Sequence, residues 1–564
     1  MTELAPFPTP GPGAAELFTP KLLTVLREGY GTRAFRADVL AGLTVAVVAL
    51  PLSMAIAIAS GVTPAQGLAT AIVGGFLVSA LGGSRHQIGG PAGAFIVLVA
   101  ATVAQHGVPG LVLATFLSGL MLMAAGWLRL GTFIKFIPFP VTVGFTAGIA
   151  IIIFASQIRE LLGLTLTAEP GPLLQKLPVL WAALPGYSPM AVAVAGGTVA
   201  TIVALRRLRP HWPGMLIAVV GASALTAMLM LPVSTIGTRF GGIPSGLPAP
   251  ALPDLSWDLI VAVLPSAMSF TLLGAIESLL SAVVADGLSG RRHRSNAELV
   301  AQGVANVGAA MFGGFCVTGT IARTATNVRA GAHGPVAGML HSLFLLAFMV
   351  LAAPLAAFIP LAALAGVLAV VAWNMIEKPA IAVLLRSGTG EAAVLGVTFL
   401  LTIFRDLTEA ILAGFLLGSV LFIHRMSRAA AVITELPYVA EDQADSSAVY
   451  DAARAASPEV VIHHISGALF FGAAASVGSV LDHIGDTHRV LILNLAAVPF
   501  LDSTGANLLE GLARTARRRG VALYLAGALP GVRTVLDRHE LHGVAHASDV
   551  EAALRASRAD RPPS

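Results

Sequence analysis

The most informative segment of this chain reads GAIESLLSAVVADGLSGRRHRSN from Gly274 to Asn296 and GGFCVTGTIARTATN from Gly313 to Asn327. One acid, Glu277, and one cation, Arg323, interrupt residues that are otherwise apolar or small. A charged side chain inside a membrane is costly and marks either a partner or a functional site. Because a glycine- and threonine-rich helix break lies beside these charges, the segment predicts a binding site for an anion.

The composition of the whole chain indicates an integral membrane protein. Of its 564 residues, 56% are hydrophobic and 11% are charged, whereas soluble domains carry roughly 25% charged residues. We expect a cytoplasmic N-terminal segment at residues 1–37, a transmembrane transport domain at 38–433, a linker at 434–457, a soluble α/β domain at 458–556 and a disordered tail at 557–564. The single cysteine, Cys316, excludes an internal disulfide framework.

About fourteen apolar segments can be placed along the transport domain. Their centres lie near Ala49, Ile72, Val97, Leu120, Ile151, Ala195, Ala222, Thr271, Val304, Ala325, Leu345, Val367, Phe399 and Phe415. If successive loops alternate between the two sides of the membrane, one side receives most of the loop cations, and the other receives only Arg159, Lys176, Arg239 and Arg405. The cation-rich side is cytoplasmic by the positive-inside rule. We therefore expect a multi-pass protein of the cell membrane with both termini in the cytoplasm.

The two halves of the transport domain repeat one another at an offset of about 220 residues. The matching motifs are Leu50-Pro51-x-x-Met54-Ala55 with Leu264-Pro265-x-x-Met268-Ser269, Phe136-Ile137-Pro138 with Phe358-Ile359-Pro360, and the glycine-rich breaks 89–93 and 313–319. Seven spans per repeat is an odd number, so the second repeat enters the membrane from the opposite side. The pattern predicts a 7+7 inverted repeat, with repeats at about 38–232 and 257–433, which is the architecture of secondary transporters.

The apolar segments that follow the two glycine-rich breaks are too short for full spans. We interpret them as half-helices whose N-termini meet near the bilayer midplane, where free N–H groups and the positive end of the helix dipole bind anions. The candidate binding residues are Gly93, Ala94 and Phe95 in the first half-helix and Thr318, Gly319, Thr320 and Ile321 in the second. The alternative is that these small residues only allow close helix packing.

The charged residues of the opening segment suggest how transport is driven. Arg323 lies about one turn into the second half-helix and is a candidate to attract the substrate, the alternative being a structural salt bridge. Burial favours the protonated form of Glu277 and a nearby Arg323 favours the ionised form, so their balance predicts reversible protonation and proton coupling. A permanently charged partner for Arg323 is the other reading. Ser281 lies one turn further on the same helix face and is a second candidate ligand for substrate or ion.

The remaining polar residues point to other roles. Asp38 precedes the first predicted span and is expected to be a helix N-cap. The chain shows no nucleophile motif, no phosphate-binding loop and no cysteine–histidine metal cluster. We therefore expect neither an enzyme nor an ATP-driven pump, and no metal, no cofactor and no nucleic-acid partner.

Several ordered motifs resemble those of the SulP anion permeases. The resemblance rests on Gly290-Arg291-Arg292-His293-x-Ser295-Asn296-x-Glu298, on Phe312-Gly313-Gly314 and residues 320–327, on Leu50-Pro51 and on Gly90-Pro91-Ala92. The tail resembles a STAS domain, with residues 500–505 at its signature loop. The resemblance implies fourteen spans arranged as a core and a gate domain, a C-terminal cytoplasmic STAS domain, and a homodimer in the lipid bilayer.

The same resemblance implies roles for individual residues. Leu52 and Ile56 on the first span would line the substrate site together with Phe95, Thr318, Thr320 and Arg323. Sodium-coupled bicarbonate members carry aspartate at the position of Glu277, so glutamate here favours protons over sodium. Ser503 stands where related soluble STAS proteins are phosphorylated and is a candidate regulatory phosphosite.

These observations give one leading hypothesis and several alternatives. The leading hypothesis is a proton-coupled symporter of a small anion (sulfate, bicarbonate or a dicarboxylate such as fumarate) that works by an elevator-like movement of the core. The alternatives are a nucleobase:proton symporter, a sodium-coupled bicarbonate transporter, a membrane-anchored STAS signalling protein and a channel. Arg323 argues against the nucleobase, because a neutral substrate needs no buried cation.

Overall fold

The structure is a computed structural model that describes residues 17–132, 138–166, 173–209, 212–405, 407–429, 431–435, 460–469, 489–538 and 544–559. The chain divides into two compact units, Met1–Phe415 and Leu416–Ser564. The first unit is helical, and the second contains a five-stranded sheet. The predicted fold class, a helical membrane domain followed by an α/β domain, is confirmed.

The first unit is built from helices joined by one short two-stranded ladder. Its helices are α1 (Lys21–Arg27), α2 (Thr32–Ala59), α3 (Pro64–Leu81), α4 (Gly93–Trp127), α5 (Phe139–Leu162), α6 (Leu173–Ala183), α7 (Pro189–Leu208), α8 (Gly214–Met228), α9 (Ile236–Phe240), α10 (Trp257–Ser289), α11 (Ser295–Met311), α12 (Ile321–Arg329), α13 (Val336–Leu351), α14 (Ala353–Ala356), α15 (Leu361–Met375), α16 (Lys378–Ser387), α17 (Thr389–Phe404) and α18 (Leu407–Ala429), which continues into the second unit. The ladder pairs β1 (Gly89–Gly90) with β2 (Thr318–Gly319).

Every predicted span centre lies inside a helix. The third and fourth centres share α4, which is interrupted at Gly107, where φ is 66° and ψ is −175°. Within the described residues, 8 helices are long and apolar enough to cross a membrane, and α8, α13 and α17 are shorter apolar helices. The number of membrane crossings therefore stays a prediction.

The helices of the first unit pack as two groups. The first helix group consists of α2, α3, α4, α10, α11, α12 and α13, and the second helix group consists of α5, α7, α8, α15, α16 and α17. Contacts within each group are extensive, and α2 also touches α15 and α8 of the second group. One apolar cluster, which includes Ile56, Phe95, Ile149 and Leu368, lies where the groups meet.

Matching positions of the sequence repeat occupy matching structural positions. Pro51 lies inside α2 and Pro265 lies inside α10. Pro138 and Pro360 both precede a helix in extended conformation, with ψ at 137° in each case. A proline that fixes φ just before a helix suits this entry to the first turn. The structure thus agrees with the predicted repeat, while Phe136 and Ile137 lie outside the described residues.

The N-terminal segment is fastened to loops of the first helix group. Arg294 donates through Nη1 to the Thr19 carbonyl at 3.0 Å and to Thr24 Oγ1 at 2.9 Å. Arg85 forms an ion pair with Glu28, and this guanidinium holds the pKa of the Glu28 carboxyl below its usual range. Because these contacts join distant parts of the sequence, they fix the chain just before α2.

Asp38 is not the N-cap that the sequence suggested. The helix α2 begins at Thr32, with Gly31 as its N-cap, so Asp38 lies inside the helix and is fully buried. Its carboxylate accepts from the backbone N–H of His333 at 2.6 Å and of Gly334 at 3.0 Å. The Tyr30 hydroxyl also donates to it at 2.6 Å, and burial together with this hydrogen bond raises the pKa of Tyr30. Asp38 therefore holds the loop between α12 and α13.

The second unit contains a mixed five-stranded sheet in the order β3 (Ala431–Glu435), β4 (Val460–Ser466), β5 (Val490–Ala497), β6 (Ala522–Ala526) and β7 (Val544–Ala547). The first pair is antiparallel and the others are parallel. In the described part of this unit, three helices follow strands, namely α19 (Ser503–Arg518), α20 (Pro530–Arg538) and α21 (Val550–Ala559). The strand β3 crosses residue 433, so the boundary that the sequence predicts for the transport domain falls inside a strand.

Candidate functional site

The two glycine-rich breaks of the repeat come together in the first unit. Gly89 pairs with Gly319, and Gly90 pairs with Thr318, in an antiparallel ladder. The Thr320 N–H extends this ladder by donating to the Ile88 carbonyl at 2.9 Å. The ladder therefore provides hydrogen-bond partners for buried backbone groups just before two helices begin. The apolar interior of a membrane requires such partners.

Each strand of the ladder leads into a helix whose first turn has no side-chain cap. The helix α4 starts with a tight turn at Gly93–Phe95, and its N-cap position, Ala92, offers no side-chain acceptor. The helix α12 starts after Thr320, whose side chain makes no capping bond. The first N–H groups of a helix lack intrahelical partners and attract negative charge. Two such groups of donors, beside one ladder, form a site suited to an anion.

Arg323 lies in the first turn of α12 and is almost fully buried, with 2% of its surface exposed. Its Nη2 donates to the carbonyl of Pro91, on the strand side of the other helix start. Its Nε and Nη1 have no hydrogen-bond partner within the described chain. A buried guanidinium with unused N–H groups is unfavourable unless a ligand or water completes it.

The threonines of the second break use their hydroxyls within the protein. Thr318 Oγ1 donates to the Gly274 carbonyl at 3.2 Å, and Thr320 Oγ1 donates to the Ile88 carbonyl at 3.1 Å. Both hydroxyl protons are therefore engaged. The donors that remain for an anion include the backbone N–H groups of the helix starts and the free edge of Arg323.

Glu277 and Ser281 lie one turn apart on α10, and both are buried. Ser281 Oγ donates to Thr324 Oγ1 at 3.0 Å, which joins α10 to α12. Thr324 Oγ1 in turn accepts from the Ile88 N–H at 3.1 Å. Among the described residues, Glu277 makes no ion pair, so it is not the salt-bridge partner of Arg323 in this conformation.

The apolar residues expected at the site share one buried cluster. Leu52, Ile56, Ala94 and Phe95 all belong to it, and Phe95 meets Phe270 edge-on with ring centroids 6.1 Å apart. All four side chains are buried, so the helix starts lie in apolar surroundings. Low polarity around a binding site strengthens each hydrogen bond made to a charged ligand.

Gly93 marks where the site meets the second helix group. A Cβ at this position would lie 3.4 Å from Ile153 Cδ1 on α5 and 3.6 Å from Met375 Sδ at the end of α15. The start of α4 therefore contacts the second group directly. The candidate site lies at the boundary between the two groups, with its polar donors supplied by the first.

Two buried amides support the site and were not identified from the sequence. Asn306 on α11 holds the backbone of Val317 at both polar atoms, at 2.8 and 2.9 Å. Gln87 is packed so closely against Gly319 that a Cβ there would lie 1.7 Å from its Nε2, and its amide atoms have no partner in the described chain. The spacing of Gln302 and Asn306 on one face of an apolar helix could have indicated the first.

The candidate phosphosite Ser503 belongs to the second unit. It is exposed and occupies the first position of α19, after Asp502, whose carboxylate caps the helix by accepting from the Gly505 N–H at 2.8 Å. A phosphate at a helix N-terminus is electrostatically favourable. Phosphorylation of Ser503 stays a prediction.

Comparison with known proteins connects both units to one family. A model of the sulfate permease family matches residues 35–398, and a STAS domain model matches residues 452–553. The chain belongs to the sulfate permease family. This permease is 38% identical over 503 residues to YvdB of Bacillus subtilis (strain 168), named as a candidate sulfate transporter, covering 89% of this chain and 93% of the relative. It is 30% identical over 527 residues to the bicarbonate transporter BicA of Picosynechococcus, covering 90% and 91%.

Solved structures agree with the fold of the permease. The transmembrane domain of a cyanobacterial bicarbonate transporter BicA superposes with a TM-score of 0.60 at 32% identity, over 67% of this chain and 98% of that chain. The inward-facing murine solute carrier 26 family member A9 gives a TM-score of 0.81 at 19% identity, over 99% and 97%. That second likeness concerns the fold alone. The relatives are transporters, which agrees with a multi-pass membrane transporter and not an enzyme.

Proposed function

We propose that this permease is a proton-coupled symporter of small oxyanions, with sulfate and bicarbonate as the first substrates to test. The observation that carries the proposal is the pair of uncapped helix starts beside Arg323, which has two N–H-bearing nitrogens without partners. Such an arrangement offers several converging donors and one fixed positive charge. A small anion completes them, whereas a neutral nucleobase leaves the guanidinium charge buried and uncompensated.

The substrate class follows from the chemistry of the donors and from the relatives. Helix N-termini recognise negative charge without requiring one molecular shape. Two relatives carry sulfate or bicarbonate in their names, and both ions are compact oxyanions. A dicarboxylate such as fumarate carries two negative charges, as sulfate does, but one at each end of the molecule. It is the third substrate to compare.

Glu277 supports coupling to protons. It is a buried carboxyl on the apolar helix α10, one turn from the Ser281 contact to α12, and it makes no ion pair in the described chain. A carboxyl in this setting can carry a proton as a neutral group across the membrane and release it on the other side. Since glutamate replaces the aspartate of sodium-coupled members, protons are the proposed coupling ion.

Uptake into proteoliposomes tests the coupling. We expect labelled sulfate or bicarbonate to accumulate severalfold faster with an inward proton gradient than without one, and equally well with sodium or potassium outside. Glu277→Gln should remove the response to the gradient. Asp258→Asn, an exposed acid in the first turn of the same helix, should retain it.

Other results would point to other functions. Uptake of the wild type that ignores the proton gradient but requires sodium would favour a sodium-coupled bicarbonate transporter. Preferential uptake of fumarate would assign the dicarboxylate. If Glu277→Gln responds to the gradient as fully as Asp258→Asn does, Glu277 is not the coupling residue.

The two helix groups support an elevator-like mechanism as part of the proposal. The polar donors belong to the first group, and the Gly93 end of the site rests against α5 and α15 of the second. Movement of the first group against the second would carry the bound anion across the membrane. The proposal includes a cytoplasmic location for both termini, which the positive-inside rule supports when it is applied to the cation-rich loops.

A further inference from the structure

A long groove runs along the second helix group, and none of the proposed anion-binding residues lines it. It has a volume of 1210 Å³ and is formed by α5, α7 and α15, with lining residues that include Phe154, Val199, Val203 and Val370. Phe154 is exposed at 49% and Val203 at 40%. Gly196 contributes no side chain, and a Cβ there would meet nothing within 4 Å. The groove is therefore apolar along most of its length and open at its wall.

One end of the groove is basic. Arg206 and Arg207, in the last turn of α7, line it together with Asn374 and Trp373. Arg206 Nη1 donates to Asn374 Oδ1 at 2.7 Å, whereas Arg207 makes no hydrogen bond or ion pair with the residues that the structure describes. Lys378 Nζ lies 3.4 Å from the centre of the Trp373 ring. Arg206, Arg207 and Lys378 are positively charged, and Glu377, next to Lys378 in the sequence, is negatively charged, so this end of the groove has a net positive charge.

We propose that this groove binds an anionic phospholipid, with its phosphate on Arg206 and Arg207 and an acyl chain along α7. The apolar length of the groove suits the acyl chain of such a lipid, and its basic end suits the anionic headgroup. Basic pockets between membrane helices on the cytoplasmic side bind acidic headgroups. Tryptophan is favoured at the same depth, where hydrocarbon meets headgroups.

The dimensions of the groove fit a lipid better than a small solute. Pockets for drug-sized ligands measure roughly 300–1,000 Å³, and this groove exceeds that range. The lining residues extend from Val192 to Arg207 on α7, which at about 1.5 Å per residue is about 22 Å. That length is most of one acyl chain and more than half of the roughly 30 Å hydrocarbon core. A zwitterionic lipid would also fill the groove, but the two arginines would contribute less to its binding affinity.

Native mass spectrometry of the full-length protein tests the site. The protein is purified in detergent, stripped of lipid and titrated with phosphatidylglycerol or phosphatidylcholine of the same acyl chains. We expect phosphatidylglycerol to bind at least fivefold more tightly. Gly196→Leu fills the groove and should reduce the tight binding at least fivefold. Gly197→Leu is the matched control, because Gly197 is adjacent, equally open and outside the groove.

A charge test separates the headgroup from the hydrocarbon. The double variant Arg206→Gln/Arg207→Gln should bind the two lipids equally, while Arg209→Gln/Arg386→Gln removes two exposed arginines outside the groove and should keep the preference. Glutamine removes the positive charge at both positions and keeps a polar side chain there. Size-exclusion elution and the thermal midpoint show that each variant is folded.

Three results would overturn the proposal. The first is equal affinity of the wild type for both lipids, which would describe ordinary annular lipid. The second is equal loss of binding in Gly196→Leu and Gly197→Leu. The third is a preference for phosphatidylglycerol that survives Arg206→Gln/Arg207→Gln.

Discussion

At the scale of single residues, Arg323 explains why an apolar segment carries a cation. It donates to the Pro91 carbonyl and thereby joins the two repeats, yet its Nε and Nη1 have no partner in the described chain. The residue is thus both a structural link and an incomplete ligand. Lysine could not replace it, because one ammonium cannot reach the carbonyl and also present a fork of donors to an anion.

Substitution of Arg323 should separate binding from folding. We expect Arg323→Gln to weaken substrate binding by about 30-fold or more, since removal of one partner of a buried charge pair costs about 2–5 kcal/mol. Arg329→Gln, at the exposed end of the same helix, should change the affinity less than about twofold. Isothermal titration with sulfate or bicarbonate measures both. Equal affinity in the two variants would remove Arg323 from the site.

Asp38 shows what a sequence pattern alone can misplace. An acid just before an apolar run predicts an N-cap, but α2 extends six residues further toward the N-terminus. Two of the three partners of this carboxylate, His333 and Gly334, are almost three hundred residues away in the chain. A local sequence pattern cannot predict contacts between residues so far apart in the chain. The sequence therefore indicates that Asp38 is a hydrogen-bond acceptor but does not identify its donors.

At the scale of elements, the break in α4 sets the length of the first half-helix. Residues 93–106 span about 21 Å at about 1.5 Å per residue, which is shorter than the roughly 30 Å hydrocarbon core. If the broken end lies near one surface, the Gly93 end lies inside the membrane. The break depends on Gly107, whose backbone conformation is essentially restricted to glycine.

Replacing Gly107 should therefore destabilise the protein without any steric clash. A Cβ there would lie 3.6 Å from Pro109 Cδ, an ordinary contact, so the cost is conformational and amounts to about 1–3 kcal/mol. We expect Gly107→Ala to lower the thermal midpoint of the purified protein by several degrees. Gly197→Ala, at an open helical position, should leave it unchanged or raise it slightly. A midpoint for Gly107→Ala as high as the wild type would show that α4 can straighten at no cost.

The sequence predicted helices better than it predicted the ladder between them. Each span centre predicted from a hydrophobic run lies inside a helix, because burial in lipid selects apolar residues over a span. The short helices α1, α6, α9, α14 and α16 contain no predicted centre. The glycine-rich breaks were recognisable from Gly90-Pro91 and Gly313-Gly314. The pairing of Gly89 with Gly319 was not, since two-residue strands have no periodicity to detect and their register depends on the packing of whole helices. The role of Gln87 could not be predicted either, because its contact with Gly319 depends on the same ladder.

At the scale of the whole molecule, every proposed substrate-binding residue lies in the first unit. A protein that lacks residues 434–564 should therefore bind its anion within about threefold of the full-length affinity, a difference below about 0.7 kcal/mol. Titration of the truncated protein checks this, with Arg323→Gln in the truncated chain as the control for specific binding. Loss of binding by a folded truncated protein would mean that the STAS domain takes part in the site. If the protein were instead a membrane-anchored signalling protein, the truncation would abolish its signalling output, and neither the full-length nor the truncated protein would take up the anion.

The proposed movement of the two helix groups can be tested by linking them. In a Cys316→Ala background, Gly93→Cys and Met375→Cys place one thiol on each group near the site, since a Cβ at Gly93 lies 3.6 Å from Met375 Sδ. A short bifunctional thiol reagent should then reduce uptake at least tenfold relative to the same sample before linking. As a control, Gly366→Cys with Thr198→Cys links two helices of the second group, where the Cβ atoms would be 3.5 Å apart and suited to a disulfide. That link should leave uptake unchanged, because relative movement of the groups remains free. If the linked Gly93–Met375 pair still transports at the unlinked rate, the groups do not move against each other at this contact, and the anion must cross by a local opening of the site.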